Sequence, residues 1–551
     1  MKNANKYKKQ FFEPTGVGTD WLNKSALETP PIWCSVDLRD GNQALVVPMS
    51  IEEKLTFFRL LCDVGFKEIE IGFPAANETE YEFCRTLIEK GLIPKDVTVQ
   101  VIAQAREHIL QKTFQAIDGA ERAIVHVYSS TSAPQREYVY KKGKQEILEV
   151  AVSAAKLCAE FKKQAKGKIT LEYSPESFTA TEPEFALEVC NAVLDVWKPT
   201  KEDKAIIDLP STVAYSMPHV YAKQVAYMSE NLRYRDGVVL SLHPHNDRGC
   251  AVADAEMALL AGGERIEGTL FGNGERSGNV DIITLALNMY SQGVDPKLDF
   301  SNLPNVTEVY ERTTRMRVSE RQPYAGRLVF ASFSGSHQDA IAKALKYREG
   351  KELDAWNVPY LPIDPIDVGR KYSTDVIRIN SQSGKGGIGY IMETQFKLVL
   401  PSKFREVFGY HIKNISDQAY KELLPREVYD IFLNDFVNKK DILDVTSKSF
   451  QAEGELVKGE ISVRYQGEEK TYSVQGNGRL DCICNAIIAA TQKPIILDSY
   501  VGHAIEEKSS SKAASYVSVV VDGTTYWGAG IHNDIMASSI RALVSAVNRM
   551  L

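Results

Sequence analysis

A chain of 551 residues with 44% apolar and 25% charged residues has a globular composition and room for about three domains. The formal charge of −7 argues against a nucleic-acid-binding surface, and no apolar run approaches the length needed to span a bilayer. The eight cysteines are scattered with no C-x-x-C pair, as expected of buried thiols in a reducing compartment rather than a disulfide frame or a zinc site.

Residues 1–30 read as an N-terminal extension. Its first ten residues are lysine-rich but lead into no apolar segment, so they are not a secretory signal and a cytoplasmic location is expected. Over residues 31–300, strand-like runs at 32–36, 68–72, 97–103, 123–128, 169–173, 205–209, 238–242 and 266–271 alternate with longer amphipathic segments. The helical spacing is plain at 51–64, 144–163, 218–231 and 251–261. Eight such units predict an α/β fold of the (β/α)8 type, a TIM barrel; a doubly wound open sheet shares the alternation and is the alternative. A barrel would gather polar chemistry where its strands end. Arg39 and Asp40 follow the first strand, His126 sits in the fourth and Glu176 follows the fifth. Thr212 follows the sixth, His243 and His245 the seventh, and Asn279 the eighth.

Beyond residue 300 the alternation stops. Residues 301–425 read as connector subdomains: helical pieces, a proline-rich run at 358–365, and a glycine cluster at 381–387 that lacks the spacing of a Walker loop. The tail, 426–551, repeats itself. Strands at 441–450, 456–465 and 470–475 precede Gly476-Asn477-Gly478 and a helix at 480–490. Strands at 495–503, 515–522 and 525–528 precede Gly528-Ala529-Gly530 and a helix at 535–549. Two βββα units predict a duplicated α+β domain of the regulatory kind, with 495–497 and 503–505 as candidate lining for a small apolar effector. Core strands of a dimerisation domain are the other reading of the same residues.

The sharpest chemical signal is His243-Pro244-His245-Asn246, closing the apolar run 238–242. Side chains of an extended segment alternate faces, so His243 and His245 point the same way. With the carboxylate of Asp40 and the amide oxygen of Asn279 they make a mixed N/O donor set for a divalent metal, leaving positions for a substrate that chelates through oxygen. Two histidines and one carboxylate also serve non-haem Fe(II) oxygenases, whose usual jelly-roll sheets do not fit the alternation here. Arg39 can stabilise an alkoxide and Thr212 can bond a substrate carboxylate; a salt bridge and a helix cap are the structural alternatives.

Three motifs, Leu38-Arg39-Asp40-Gly41-Asn42-Gln43, Leu242-His243-Pro244-His245-Asn246-Asp247 and Gly272-Asn273-Gly274-Glu275-Arg276-Ser277-Gly278-Asn279, resemble the signatures of the acyl-CoA condensing metalloenzymes. Within that group the chain is similar to the 2-isopropylmalate synthase family, longer subclass, over nearly its whole length. The likeness continues through Glu172-Tyr173-Ser174-Pro175-Glu176, Phe333-Ser334-Gly335-Ser336-His337-Gln338 and Val358-Pro359-Tyr360-Leu361-Pro362. The resemblance implies Asp40, His243, His245 and Asn279 as metal ligands, with Mg2+ first and Mn2+ or Zn2+ compatible. It implies acetyl-CoA and 2-oxoisovalerate as substrates, joined in a Claisen-type condensation and released by thioester hydrolysis. His337 would be the acid–base residue, with Tyr360 and Glu176 beside the reacting groups and Arg39, Thr212 and His126 at the substrate. A homodimer is implied, in which His337 and Tyr360 reach the neighbouring subunit's site, and a tail that senses leucine as feedback inhibitor. Without the resemblance, His337 reads as a helix-cap histidine and Tyr360 as a core aromatic. One departure is Arg479, where the family usually has proline after the second glycine of the first Gly-x-Gly. Citramalate or homocitrate synthesis on the same metal site, an acyl-CoA lyase, and a non-catalytic sensor are the competing readings; the last two fit less well with a long duplicated tail and an intact donor set.

Overall fold

Eight aliphatic runs become parallel strands: β1 (Ile32–Ser35), β2 (Glu68–Gly72), β3 (Thr98–Gln104), β4 (Arg122–Ser130), β5 (Lys168–Glu176), β6 (Ala205–Ser211), β7 (Val238–Pro244) and β8 (Arg265–Gly268). Each pairs with the next, and β8 closes on β1 from Ile32↔Arg265 to Ser35↔Gly268. The sheet is therefore a closed barrel, and the open doubly wound alternative falls. The structure is a computed structural model that describes residues 3–332, 334–372, 385–419, 423–454, 456–505 and 512–551. Phe333 and the part of the glycine cluster at 381–384 lie outside the described residues.

Helices α1 (Ile51–Val64), α2 (Glu78–Glu89), α3 (Glu107–Ala116), α4 (Lys144–Gln164), α5 (Pro183–Trp197), α6 (Pro218–Asn231), α7 (Ala251–Leu260) and α8 (Ile282–Tyr290) follow the strands in turn. α1 shows why the sequence breaks where it does. Ser50 and Glu53 form a reciprocal capping box at its start, and Gly65 ends it in the left-handed region at φ 111°. Its buried face carries Phe57, Phe58, Leu60, Leu61 and Val64.

The inside of the barrel is not apolar. Glu70, Gln100, Glu172, Ser241, Arg265 and Glu267 are all fully buried. Arg265 ties them together: Nη1 donates to Glu267 at 2.9 Å and to Ser241 at 2.8 Å, and Nη2 donates to Gln100 at 2.6 Å. Removing one partner from such a buried ionic network typically costs about 3–5 kcal/mol, because the remaining charge is left unpaired.

Several strand boundaries differ from the sequence reading: β4, β5 and β6 run on to Ser130, Glu176 and Ser211, so Glu176 ends its strand rather than following it. β7 runs on to Pro244, so His243 lies within the strand, and β8 stops at Gly268 before a tight turn at Leu270–Gly272. Pro244 is tolerated because it stands at a strand end, where its carbonyl accepts from Val280 N at 2.9 Å.

The chain divides into two compact units. The first is Met1–Val329 with Ile363–Lys371, and contains α9 (Leu303–Thr314) besides the barrel. The second is Phe330–Pro362 with Tyr372–Leu551. It holds α10 (Gly335–Arg348), α11 (Lys385–Phe396), α12 (Ser402–Ala419) and α13 (Pro425–Phe436). Next come β9 (Leu443–Glu453), β10 (Leu456–Tyr465), β11 (Glu468–Gly476) and α14 (Arg479–Thr491). β12 (Ile496–Ala504), β13 (Ala513–Val521), β14 (Thr524–His532) and α15 (Ile535–Met550) end it. Both sheets are antiparallel, in the orders β11-β10-β9 and β12-β13-β14, so the tail is two βββα units.

The two Gly-x-Gly pairs are not equivalent, however. Gly476 ends β11 and Gly478 caps α14, whereas Gly528 and Gly530 lie inside β14. A Cβ at Gly528 would stand 2.2 Å from Ala546 N, and one at Gly530 1.9 Å from Ser538 O, so these glycines let α15 sit directly on the sheet. Ile495 and Leu497 pack in the core with Val517, Val519, Leu543 and Val547, and Ile505 packs against a second core. Ile495, Leu497 and Ile505 thus pack in or against core, while Ile496 between the first two is 64% exposed. That second core joins Phe404, Phe408, Phe432 and Phe436 to Tyr516 and Trp527, so helices α12 and α13 share it with the tail. Among the described residues, no helix is long and apolar enough to cross a membrane.

Candidate active site

The strand ends deliver the expected side chains to one place. After β1 the backbone makes a single π-helical turn, Asp37–Gly41, of the kind that re-aims side chains at functional positions. Asp37 holds this turn to the far side of the barrel seam, its two carboxylate oxygens each accepting from Leu270 N at 3.1 Å. Asp40 then projects inward. Its Oδ1 accepts from Arg39 Nη1 at 2.7 Å. Its Oδ2 lies 3.5 Å from His243 Nε2 and 3.4 Å from His245 Nε2. That Oδ2 is buried and, among the described residues, accepts no hydrogen bond.

An unpartnered buried carboxylate oxygen facing two imidazole nitrogens is costly unless a cation completes it. The tautomers agree. His243 Nδ1 sits 2.7 Å from Glu267 Oε2 and His245 Nδ1 3.3 Å from the Ser211 carbonyl. With Nδ1 so engaged, each Nε2 faces Asp40, where a bound cation would take its lone pair in place of a proton, as in metal-binding histidines with outer-shell acceptors. Asn279 Nδ2 donates to Asn273 O at 2.9 Å, which turns its Oδ1 to 3.0 Å from His243 Nε2. The ligand atoms of Asp40, His243 and His245 all lie within 4.8 Å of one another. This donor set fits a divalent cation.

The electrostatics point the same way. Burial works against ionising Asp40, but the Arg39 guanidinium and the two imidazoles outweigh it and hold the carboxyl well below the usual carboxylate range. Burial likewise disfavours a charged His243, yet the facing carboxylates of Asp40 and Glu267 lift it well above the usual imidazole value. A cation must displace that proton, so affinity for it weakens as pH falls.

These residues open onto a cavity of about 190 Å³. Arg39, Asp40, His126, Glu176, Thr212, His243 and His245 all line it. His126 Nε2 is 2.6 Å from Ser174 Oγ, which donates to Asp208 at 2.9 Å. Glu176 accepts from Ser130, itself bonded by Tyr140 at 3.1 Å. Thr212 Oγ1 accepts from Ser177 N at 2.9 Å, leaving its own proton free to donate into the cavity. Phe73, Ile102, Tyr128 and Pro210 form an apolar wall. The sequence reading did not single out Glu267 or this wall; Ser174 and Asp208 stand at strand ends where it expected polar chemistry, without a role assigned to either.

His337 and Tyr360 belong to the second unit, where their rings stack at 3.8 Å and 16°. Tyr360 is 58% exposed with φ 65°, so it is not a core aromatic. His337 lies in the first turn of α10 without capping it; the cap position is Ser334.

Three family models match the chain in succession. An HMGL-like model covers residues 30–309, an alpha-isopropylmalate synthase post-catalytic domain model 327–393, and a LeuA allosteric (dimerisation) domain model 422–551. The 2-isopropylmalate synthase of Desulfitobacterium hafniense is 57% identical, over all of this chain and 99% of that one. The chain belongs to the 2-isopropylmalate synthase family. The synthase of Helicobacter hepaticus is 56% identical over 99% of both chains, and that of Clostridium acetobutylicum 50% identical over 96% of both. Membership in this synthase family, with its HMGL-like catalytic domain and allosteric tail, makes the chain an acyltransferase of the leucine-biosynthetic type.

Proposed function

We propose that the chain condenses acetyl-CoA with 2-oxoisovalerate and hydrolyses the resulting thioester, giving 2-isopropylmalate and CoA. The observation that carries this reading is the donor set of Asp40, His243 and His245 opening onto a cavity with an apolar wall. A divalent ion held by these residues, with Asn279 beside them, supplies Lewis-acid polarisation of the keto carbonyl; Mg2+ is assigned first, and Mn2+ or Zn2+ suit the same donors. Arg39, fixed by Asp40 and Glu70, stabilises the negative charge that develops on the keto oxygen. The Thr212 hydroxyl donates to the substrate carboxylate, and His126, steadied by Ser174, lies on the same cavity wall. His337, with Tyr360 stacked on it and Glu176 at the cavity, handles the protons: one leaves the acetyl methyl, and one returns to the new alkoxide. Water then cleaves the thioester and CoA leaves with its thiol proton.

The wall discriminates among the sister reactions. Homocitrate synthesis requires a cation free for a second carboxylate, but Arg39 is engaged as above and Arg276 bonds Asp247 and the Thr212 carbonyl. An isopropyl group suits Phe73, Ile102, Tyr128 and Pro210. CoA release measured with divalent metal and a panel of pyruvate, 2-oxobutyrate, 2-oxoisovalerate and 2-oxoglutarate tests this. Highest kcat/KM for 2-oxoisovalerate is expected; preference for pyruvate or 2-oxoglutarate overturns the assignment.

We further propose a homodimer in which His337 and Tyr360 serve the partner's cavity, supported by the dimerisation-domain match. Exposed apolar side chains on the loops after β1, β4 and β6, among them Val46 (97% exposed), Tyr138 and Met217, suit a surface that a second copy covers. Leucine, acting through the tail, would then couple to the barrel by about 1–3 kcal/mol. Because α12 and α13 share a core with the tail, cutting the chain near residue 425 would strip that core. Hydrogen exchange on the whole chain is the better test: leucine should protect segments within residues 443–551. Protection confined to the barrel cavity would place the effector there instead.

A further inference from the structure

Lys54 is an anomaly in α1: a lysine with no exposed side-chain surface, on a helix face otherwise given to Phe57, Phe58 and Leu61. Its ammonium pairs with Glu80 of α2 and lies 5.0 Å from the Phe83 ring centroid. Glu80 spends its other oxygen on the loop that follows β2, where Oε2 accepts the backbone N–H of Phe73 at 3.2 Å. A Cβ at Gly72 would stand 2.0 Å from that oxygen, and Gly72 has φ 154°, a backbone conformation that side-chain-bearing residues rarely adopt. The loop is tied at its other end as well. Phe73 O accepts from Ala76 N at 2.9 Å, and Asn77 caps α2 by accepting from Glu80 N at 3.0 Å. Phe73, held in this ring of bonds, is one of the residues that line the cavity.

We propose that the buried Lys54–Glu80 pair is a positioning device that seats Phe73 as part of the apolar wall and so sets which 2-oxo acid side chain the cavity accepts. The inference rests on the proposed condensation for the identity of the substrate. A buried ion pair is a poor way to add stability, since well-packed apolar residues of similar volume usually do as well or better. What apolar residues cannot do is accept the Phe73 amide proton. The pair neutralises Glu80 inside the protein while its second oxygen fixes the backbone of the wall. Loss of that acceptor frees Phe73 to shift, and the discrimination then at stake is that between substrates one methylene apart, about 10- to 200-fold in a well-fitted hydrophobic pocket.

Two double variants separate positioning from folding. Lys54→Met with Glu80→Leu removes both charges and the acceptor while keeping volume. Lys54→Met with Glu80→Gln removes the charges but keeps an amide oxygen for Phe73. In the first, KM for 2-oxoisovalerate should rise about tenfold and its advantage over 2-oxobutyrate should shrink by a similar factor, with kcat and the KM of acetyl-CoA within about twofold. The second should recover most of the parent's discrimination. A folded Leu variant that discriminates like the parent overturns the proposal, as does a Gln variant no better than the Leu one. If the parent prefers another 2-oxo acid, the substrate assignment falls and the positioning role is judged by the same narrowing for that acid. Hydrogen exchange over residues 72–77 needs no turnover: faster exchange in the Leu variant but not in the Gln variant supports the role, and equal exchange in both overturns it.

Discussion

His243→Ala is expected to lose its metal and about a hundredfold or more of its turnover together, because a bound divalent ion contributes several kcal/mol of transition-state charge stabilisation. Asp40, His243 and His245 act as one unit, and Asp40 Oδ2 lies between the two imidazoles without another partner. Removing either ring takes a ligand and leaves the carboxylate buried beside a gap. Glu267→Gln makes the informative comparison. Glu267 touches no part of the cavity but accepts from His243 Nδ1 at 2.7 Å, and Arg265 holds it in place at 2.9 Å. Loss of its charge should weaken metal affinity by about 10- to 100-fold, the usual effect of losing an outer-shell partner, and excess metal should restore turnover. Excess metal should not restore His243→Ala. Metal content by elemental analysis, read beside CoA release over a metal titration, checks both. Normal metal content and turnover in His243→Ala would falsify the assignment.

Which features are legible in the order of the amino acids depends on which forces are local. Strands alternating with amphipathic helices are a one-dimensional pattern, so the barrel and the ends of its strands are legible, and with them Arg39, Asp40, His243 and His245. The floor beneath them is less so. Arg265 and Glu267 stand two apart in a short strand, as do Glu68 and Glu70, so their alternation with apolar residues marks a strand with one polar face. In a barrel, that face can only be the inside or the sheet's outer surface, and closure decides which. Only closure brings Gln100, Glu172 and Arg265 together from strands far apart in sequence. The strand itself runs past the apolar stretch 238–242 to Pro244, because proline is harmless at a strand end. The glycines of the tail misled the reading. A Gly-x-Gly before a helix reads as a turn, but at 528–530 the demand is for contact between sheet and helix, which has no sequence period. Lys54 reads as a solvated position of an amphipathic helix; only the fold brings Glu80 to it.

The second large effect concerns where His337 works. Hybrid dimers made by mixing His337→Ala chains with Asp40→Asn chains should regain activity that neither parent variant has. If each cavity receives His337 from the partner, a hybrid has one cavity with both residues intact and one with neither. At equal mixing half the dimers are hybrids, so recovery of about a quarter of the unmodified activity is expected. If each chain supplies its own His337, every cavity in the mixture carries one defect and nothing is regained. The local structure supports the first outcome. Tyr360 adopts φ 65°, a conformation that costs a side-chain-bearing residue about 1–2 kcal/mol, and holds its ring stacked on His337 while 58% exposed. Strain kept at an exposed tyrosine stacked on a half-buried histidine suits the presentation of that ring to something outside its own core. Native mass spectrometry of differently tagged chains counts the hybrids, and CoA release gives the activity. Hybrids that form in the expected proportion and stay inactive would place His337 in its own subunit's cavity, and the stacked pair would then need another explanation.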